Sequence, residues 1–351
     1  AVAPASLPQH WDIFCRVIDN HGDLGVCWRL CGDLAARGVH VRLWVDDASA
    51  LAWMAPEGHA GVELRAWPAA AELQGVTPGE VVVEAFGCEL PTEFVARMAQ
   101  LASSPRWINL EYLSAEDYVE RSHGLPSPQF SGPGRGLIKH FFYPGFSAGT
   151  GGLLREMDLQ ARQADFNAEA WLAGQGLSRR PGERLVSLFG YPGAPAEALT
   201  RLLADQPTLL LACPGALRDK LVPGPNLRIH ALPYLSQFDY DHLLWACDWN
   251  FVRGEDSFVR AQWAGKPMVW HIYPQSDGAH AAKLEAFMAR SRLPAPQQAL
   301  WRGWNGLAPL PDKLPYCGDH ATGWRAALLA QGDLVTQLAG FLAALVCAFD
   351  E

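Results

Sequence analysis

Apolar residues along this chain follow two recurring rhythms. Continuous runs, namely WDIFCRVI (11–18), VHVRLWV (39–45), VVVEAF (81–86) and RWINLEYL (106–113), predict strands covered on both faces. Between the first two runs, Cys27, Leu30, Cys31 and Leu34 fall at i, i+3, i+4 and i+7, which predicts a helix over 24–37 with one buried face. Gly38 stands where a left-handed residue would end it. Strand–helix–strand units at this spacing imply a parallel sheet.

The rhythm changes from 126 to 183, where LPSPQFSGPGRG and FSAGTGGLLRE are rich in Pro, Gly and Ser and predict a connection with some local order. A second α/β series follows. Strands are expected over 184–191, 208–213, 226–235, 249–254 and 266–273, and helices over 194–206, 237–248 and 256–264. The expected organisation is an N-terminal domain (1–150), a linker region (151–183), a second domain (184–330) and a C-terminal helix (331–351). The last apolar run, LVTQLAGFLAALVCAF (334–349), is interrupted by Gln337 and falls short of the roughly 20 residues that span a bilayer. It reads as a helix buried on one face. Ligands of open parallel sheets sit beyond the carboxyl ends of the strands, so two such halves suggest a clamshell.

Composition supports this organisation. A chain of 351 residues, 49% apolar and 19% charged, suits two globular domains. A formal charge of −9 excludes broad nucleic-acid binding but not a small phosphate ligand in a local pocket. The eight cysteines form no Cys-x-x-Cys pair, and Cys27 and Cys31 share the apolar helix face, so they read as core in a reducing compartment. The opening AVAPASLPQHW lacks the basic flank and apolar run of a signal peptide, and a soluble, cytoplasmic protein is expected.

Two strand-to-helix turns carry candidate chemistry. In VRGEDSFVRAQWAGKPMVWHIYPQ (252–275), Gly254 permits a tight turn, and the first helical N–H groups, at Asp256, Ser257 and Phe258, lack intrahelical partners. That suits an anion such as a diphosphate, with Ser257 as a further donor. Alternatively, Asp256 or Ser257 is a helix cap and Glu255 a solvated neighbour. In VIDNHGDLG (17–25), Asp19 and Asp23 stand four apart around Gly22 and can turn to one cleft, or Asp23 is only a favourable charge at a helix start. Neither loop is a dinucleotide fingerprint or a P-loop. DYD (239–241) resembles a metal-binding Asp-x-Asp, but it opens a helix and capping is the better reading. His271, Trp263 and Trp270 read as core, and Phe189 and Tyr191 either stack on a base or pack.

Together, WDIFCRVIDNHGDLGVCWRL, INLEYLSAEDYVE, LPSPQ, YPGFSAGTGGLLRE, SLFGY and VRGEDSFVRAQWAGKPMVWHIYPQ resemble the bacterial elongation factor P arginine rhamnosyltransferases (EarP), in the same order over most of the chain. His21 departs from the aromatic expected there, and the region from about 290 onward offers little to match. The resemblance implies a GT-B fold of two Rossmann-like domains facing a central cleft. It implies inverting, metal-independent transfer of rhamnose from dTDP-β-L-rhamnose to an arginine of elongation factor P, activating that factor for translation of polyproline stretches. It further implies catalytic roles for Asp23, Asp19 and Glu255, with Asp23 as base and Asp19 aligning the guanidinium. Donor-binding positions would be Asn20, Gly22, Phe189, Tyr191 and Gln237, together with Arg253, Gly254, Asp256 and Ser257. The partners implied are elongation factor P and dTDP-rhamnose, with no cofactor, nucleic acid or membrane. Rival readings are a GT-B enzyme with a hydroxyl acceptor, which needs one base rather than two carboxylates, and a non-catalytic module binding a nucleotide sugar or elongation factor P.

Overall fold

The computed structural model describes residues 5–19 and 21–349, the last three by backbone alone. The chain divides into two compact units, one of residues 1–157 with 331–351 and the other of 158–330.

The first unit contains β1 (His10–Cys15), α1 (Gly22–Ala36), β2 (His40–Val45), α2 (Leu51–Met54), β3 (Val62–Ala66), β4 (Val81–Ala85), α3 (Thr92–Gln100), β5 (Arg106–Leu110), α4 (Tyr118–Ser122), β6 (Pro126–Pro128) and β7 (Ile138–Phe142). Its sheet runs β3-β2-β1-β4-β5-β7-β6, parallel except for the β6–β7 pair. Strands sandwiched between apolar layers need no alternation, and every residue of β4 is buried. The predicted face of α1 is the one that packs: Cys27, Leu30, Cys31 and Leu34 are each 0% exposed. Gly38, at φ 92°, follows its last turn.

The second unit contains α5 (Leu159–Asp165), α6 (Ala168–Gly174), β8 (Arg184–Leu188), α7 (Leu199–Leu202), β9 (Thr208–Ala212), β10 (Leu227–Ala231), α8 (Gln237–Ala246), β11 (Trp249–Arg253), α9 (Asp256–Ala264), β12 (Met268–His271), α10 (Ala279–Arg290), α11 (Ala295–Trp304) and α12 (His320–Leu329). Its sheet, β10-β9-β8-β11-β12, is wholly parallel. The last helix, α13 (Leu334–Phe349), belongs to the first unit, where Leu334, Val335, Leu338 and Leu342 join the core around α1.

In several places the structure differs from the sequence reading. The segment 151–183 is not one connection: residues through Met157 belong to the first unit and Asp158 onward to the second. The Pro- and Gly-rich stretch before it holds β6 and β7, and β6 tolerates two prolines because it is an edge strand. The strand β3 was not anticipated; its residues are mostly exposed, so it lacks an apolar run. The helix expected over 194–206 shrinks to a 3₁₀ turn, Ala196–Ala198, and the four residues of α7. Apolar His320–Val346 has the length and mean hydropathy, 1.4, of a membrane span, yet it is interrupted. The N–H of Leu334 leaves the helical pattern and donates to Leu153 O at 2.8 Å, separating α12 from α13.

Candidate active site

In an open parallel sheet the strand order reverses where two connections leave a central strand pair in opposite directions, and a crevice forms there. In the first unit that point lies between β1 and β4; in the second, between β8 and β11. The residues singled out in the sequence lie beyond β1, β8 and β11, apart from Gln237, which follows β10.

Beyond β1, the chain turns through Asp19 into α1, and Gly22 N donates to Asp19 O at 2.6 Å. A Cβ on Gly22 would lie 2.8 Å from Asp19 Oδ2, so this turn takes glycine to admit the carboxylate. Asp23, in the first turn of α1, is 3% exposed. Its Oδ2 accepts from Ile18 N and Asp19 N, each at 2.9 Å. Its Oδ1 accepts from Tyr112 Oη at 3.1 Å. Among the described residues, both lone pairs of Oδ2 are thereby used and one remains on Oδ1. Through Oδ2 the Asp23 carboxylate braces the loop that carries Asp19. Asp19 itself is half-buried and Ile18 beside it is 64% exposed. His21 packs edge-on against Trp53, with ring centroids 5.1 Å apart. Asn20 lies outside the described residues.

In the second unit, β11 ends at Arg253 and Gly254 turns the chain with φ 64°, a conformation unstrained only for glycine. Its carbonyl accepts from Trp270 Nε1 at 2.7 Å and its N–H donates to His271 O at 3.1 Å. The helix α9 then starts as expected, at Asp256. Neither Asp256 nor Ser257 caps it: the cap position is Glu255, whose side chain makes no capping hydrogen bond. The Ser257 hydroxyl accepts from Arg253 N at 3.0 Å and donates to Arg253 O, so its proton is spent on the turn rather than offered to a ligand. The amides of α9 are the remaining anion-binding feature of this turn.

Arg253 extends over Phe189, 4.0 Å from the ring centroid, and Tyr191, at 4.8 Å, and donates to Gly190 O at 3.3 Å. This cation–π stack joins the end of β8 to the end of β11 and covers one face of each ring. His271 accepts from Tyr191 N through Nδ1 at 3.1 Å. Burial, then the positive charges of Arg253 and His280, push the His271 imidazole down to about 4, so it is a neutral acceptor at physiological pH. Gln237 opens α8, which Ser236 caps by accepting from Asp239 N at 3.1 Å.

The Asp-x-Asp pair separates. Asp241 is 1% exposed and paired with buried Arg260, through two contacts of 2.9 Å, while Asp239 lies in the first turn of α8 and is not its cap. Among the described residues no three His, Cys, Asp or Glu side chains converge as metal ligands. A cavity of about 600 Å³ lies at the opposite, amino-terminal edge of the first sheet, lined by His10, His40, Arg42 and Glu63 among others, and none of the candidate residues borders it. Sequence reasoning missed Tyr112, although it quoted the segment containing it, because no periodicity links residue 112 to residue 23.

Two doubly wound units, each with its candidate residues at the switch point of its sheet, define a glycosyltransferase of the GT-B class. The family model described as "Elongation-Factor P (EF-P) rhamnosyltransferase EarP" matches residues 11–343, and the chain belongs to that family. It is 47% identical to a protein-arginine rhamnosyltransferase of Pseudomonas putida, over 94% of this chain and 98% of the relative. The corresponding figure for a protein-arginine rhamnosyltransferase of Pseudomonas aeruginosa is 43%, over 95% and 98%. A solved structure concerned with EarP-mediated arginine glycosylation of translation elongation factor EF-P aligns with a TM-score of 0.62 at 34% identity, covering 95% of this chain and 99% of that one.

Proposed function

We propose that the enzyme transfers rhamnose from dTDP-β-L-rhamnose to an arginine side chain of elongation factor P, inverting the anomeric carbon and using no metal. The supporting observation is the loop beyond β1. There Oδ2 of Asp23 fixes the backbone of Ile18 and Asp19, so two carboxylates are held in one turn.

A guanidinium is protonated at cellular pH and its lone pairs are delocalised, so it attacks only when a carboxylate binds it, orients one nitrogen and removes a proton. On this reading Asp23 takes that proton through the remaining lone pair of its Oδ1, and Asp19 helps align the cation. The C–N bond forms on the face opposite the diphosphate, the bond from C1 to the diphosphate oxygen breaks, and the electron pair leaves with dTDP. The amides at the start of α9 stabilise that charge. Arg253 adds a positive charge, and Glu255 holds sugar hydroxyls. Ser257, by contrast, shapes the turn. A cytoplasmic location fits a nucleotide-sugar donor and a translation factor as acceptor.

The test is to incubate the protein with purified elongation factor P and dTDP-rhamnose and weigh the acceptor. A gain of one deoxyhexose on arginine is expected with the wild type, and none with Asp23→Ala, which should still bind the donor. An unmodified acceptor with the wild type would overturn the reading; a wild-type rate in Asp23→Ala would remove Asp23 as base.

A further inference from the structure

Just past β8, one peptide group is held at both ends by side chains. The ladder between β8 and β11 ends with Phe189 N donating to Phe251 O at 2.9 Å. The following peptide joins Gly190 to Tyr191. Its carbonyl accepts from Arg253 Nη1 at 3.3 Å, and its N–H donates to His271 Nδ1 at 3.1 Å. A planar trans peptide points these two groups in opposite directions, so the two contacts together fix its orientation. Arg253 ends β11 and stands in register with His271, which ends β12. Arg253 lies over the rings of Phe189 and Tyr191, which flank that peptide. His271 meets Tyr191 edge-on, with centroids 5.1 Å apart and planes 73° from parallel. Glycine at 190 admits the contact, because a Cβ there would lie 2.8 Å from Leu217 Cδ2 and 3.3 Å from His271 Nδ1. The main chain of His271 reaches the neighbouring turn as well, where its carbonyl accepts from Gly254 N at 3.1 Å.

We infer that His271 is a positioning residue for the donor side of the reaction: its imidazole holds the Gly190–Tyr191 peptide, and that peptide steers the Arg253 guanidinium at the end of β11, where the leaving group departs. The inference rests on the reading of the turn after β11 as the diphosphate site. An imidazole that accepts through Nδ1 is neutral and carries its proton on Nε2. Neutrality matters twice here. It keeps the lone pair that Tyr191 N needs, and it places no second positive charge beside Arg253. Burial, followed by the charges of Arg253 and His280, maintains that state. Without the imidazole the buried Tyr191 N–H loses this acceptor, the peptide is free to turn, and the carbonyl that steers Arg253 turns with it. Arg253 then keeps its charge but loses its aim, which weakens a bound diphosphate. Asp19 and Asp23 belong to the other unit, so the acceptor loop is left as it was.

The experiment measures the dissociation constant for dTDP by calorimetry, together with steady-state transfer to elongation factor P. His271→Leu is expected to weaken dTDP roughly tenfold and to raise KM for dTDP-rhamnose in step, with KM for elongation factor P unchanged. His271→Asn offers an acceptor oxygen near the place of Nδ1 and should recover affinity to within about threefold of the wild type, which filling the same space with leucine does not. In an Arg253→Gln background His271→Leu should cost less than about twofold, because the guanidinium it steers is already gone. Gly190→Ala keeps both side chains but crowds Nδ1, and should reproduce the loss, so the test does not hang on one variant folding. Wild-type dTDP affinity in His271→Leu, with only the melting temperature lowered, would mark a purely structural role and overturn the inference. Losses that simply multiply with Arg253→Gln, or an asparagine variant no better than leucine, would do the same. A wild-type protein that binds no dTDP would instead overturn the underlying functional reading, so the two failures are distinguishable.

Discussion

His271 illustrates how a single buried group ties stability to pH. It accepts from Tyr191 N only while neutral, and its surroundings hold it near 4 against an ordinary value of 6.5. The unfolded chain therefore takes up a proton that the folded chain refuses between those two values. Stability contributed by this group is complete above about pH 6.5 and is lost as pH falls toward 4, by at most about 3 kcal/mol. We expect thermal unfolding of the wild type to move to lower temperature over that window more steeply than that of His271→Gln, compared by calorimetry from pH 7 to pH 4.5. Parallel pH profiles would exclude His271 as the source. At this scale the candidates were legible as residue types, since a carboxylate pair and a Gly-Glu-Asp-Ser turn can be read directly. Their partners were not: Ser257 turned out to bond the Arg253 backbone, and Asp23 turned out to bond the loop behind it.

The bounds of α9 were legible because local chemistry marks both ends, with Gly254 and Gly265 at φ 64° and 68° and Pro267 beyond. The short α7 and the edge strands β3 and β6 were not, because their state is set by what they lie against rather than by an internal period. The helices α8 and α9 are joined by the buried pair of Asp241 and Arg260, 1% and 2% exposed. Removing Arg260 leaves buried Asp241 facing the more distant Arg162, at 4.0 Å, so Arg260→Ala should cost about 3 kcal/mol, whereas Asp241→Leu with Arg260→Met should cost far less. Denaturant unfolding of the two variants checks this; equal losses would mean that packing, not the stranded charge, sets the cost.

At the scale of the molecule, each unit repeats one strand order around its own switch point, and α13 returns to the first unit to bury an apolar face against α1. The proposed chemistry uses side chains and helix amides alone. Transfer should therefore continue at full rate in excess EDTA; loss of activity restored by Mg²⁺ would return attention to Asp239. The engagement of Asp241 by Arg260 argues for the first outcome.

The sequence by itself determined the α/β class, the two series of strands and helices, the turn at Gly254 and the carboxylates beyond the first strand. These follow from continuous apolar runs, from a period of 3.6 residues and from glycine and proline, which act over a few neighbours. Only the tertiary structure decided that β7 joins the first sheet, that α13 crosses back to it, and that Tyr112, Phe86 and Asp23 form one chain of contacts. Strand order brings residues 23, 86 and 112 together, and no local rule of chain conformation encodes which strands become neighbours.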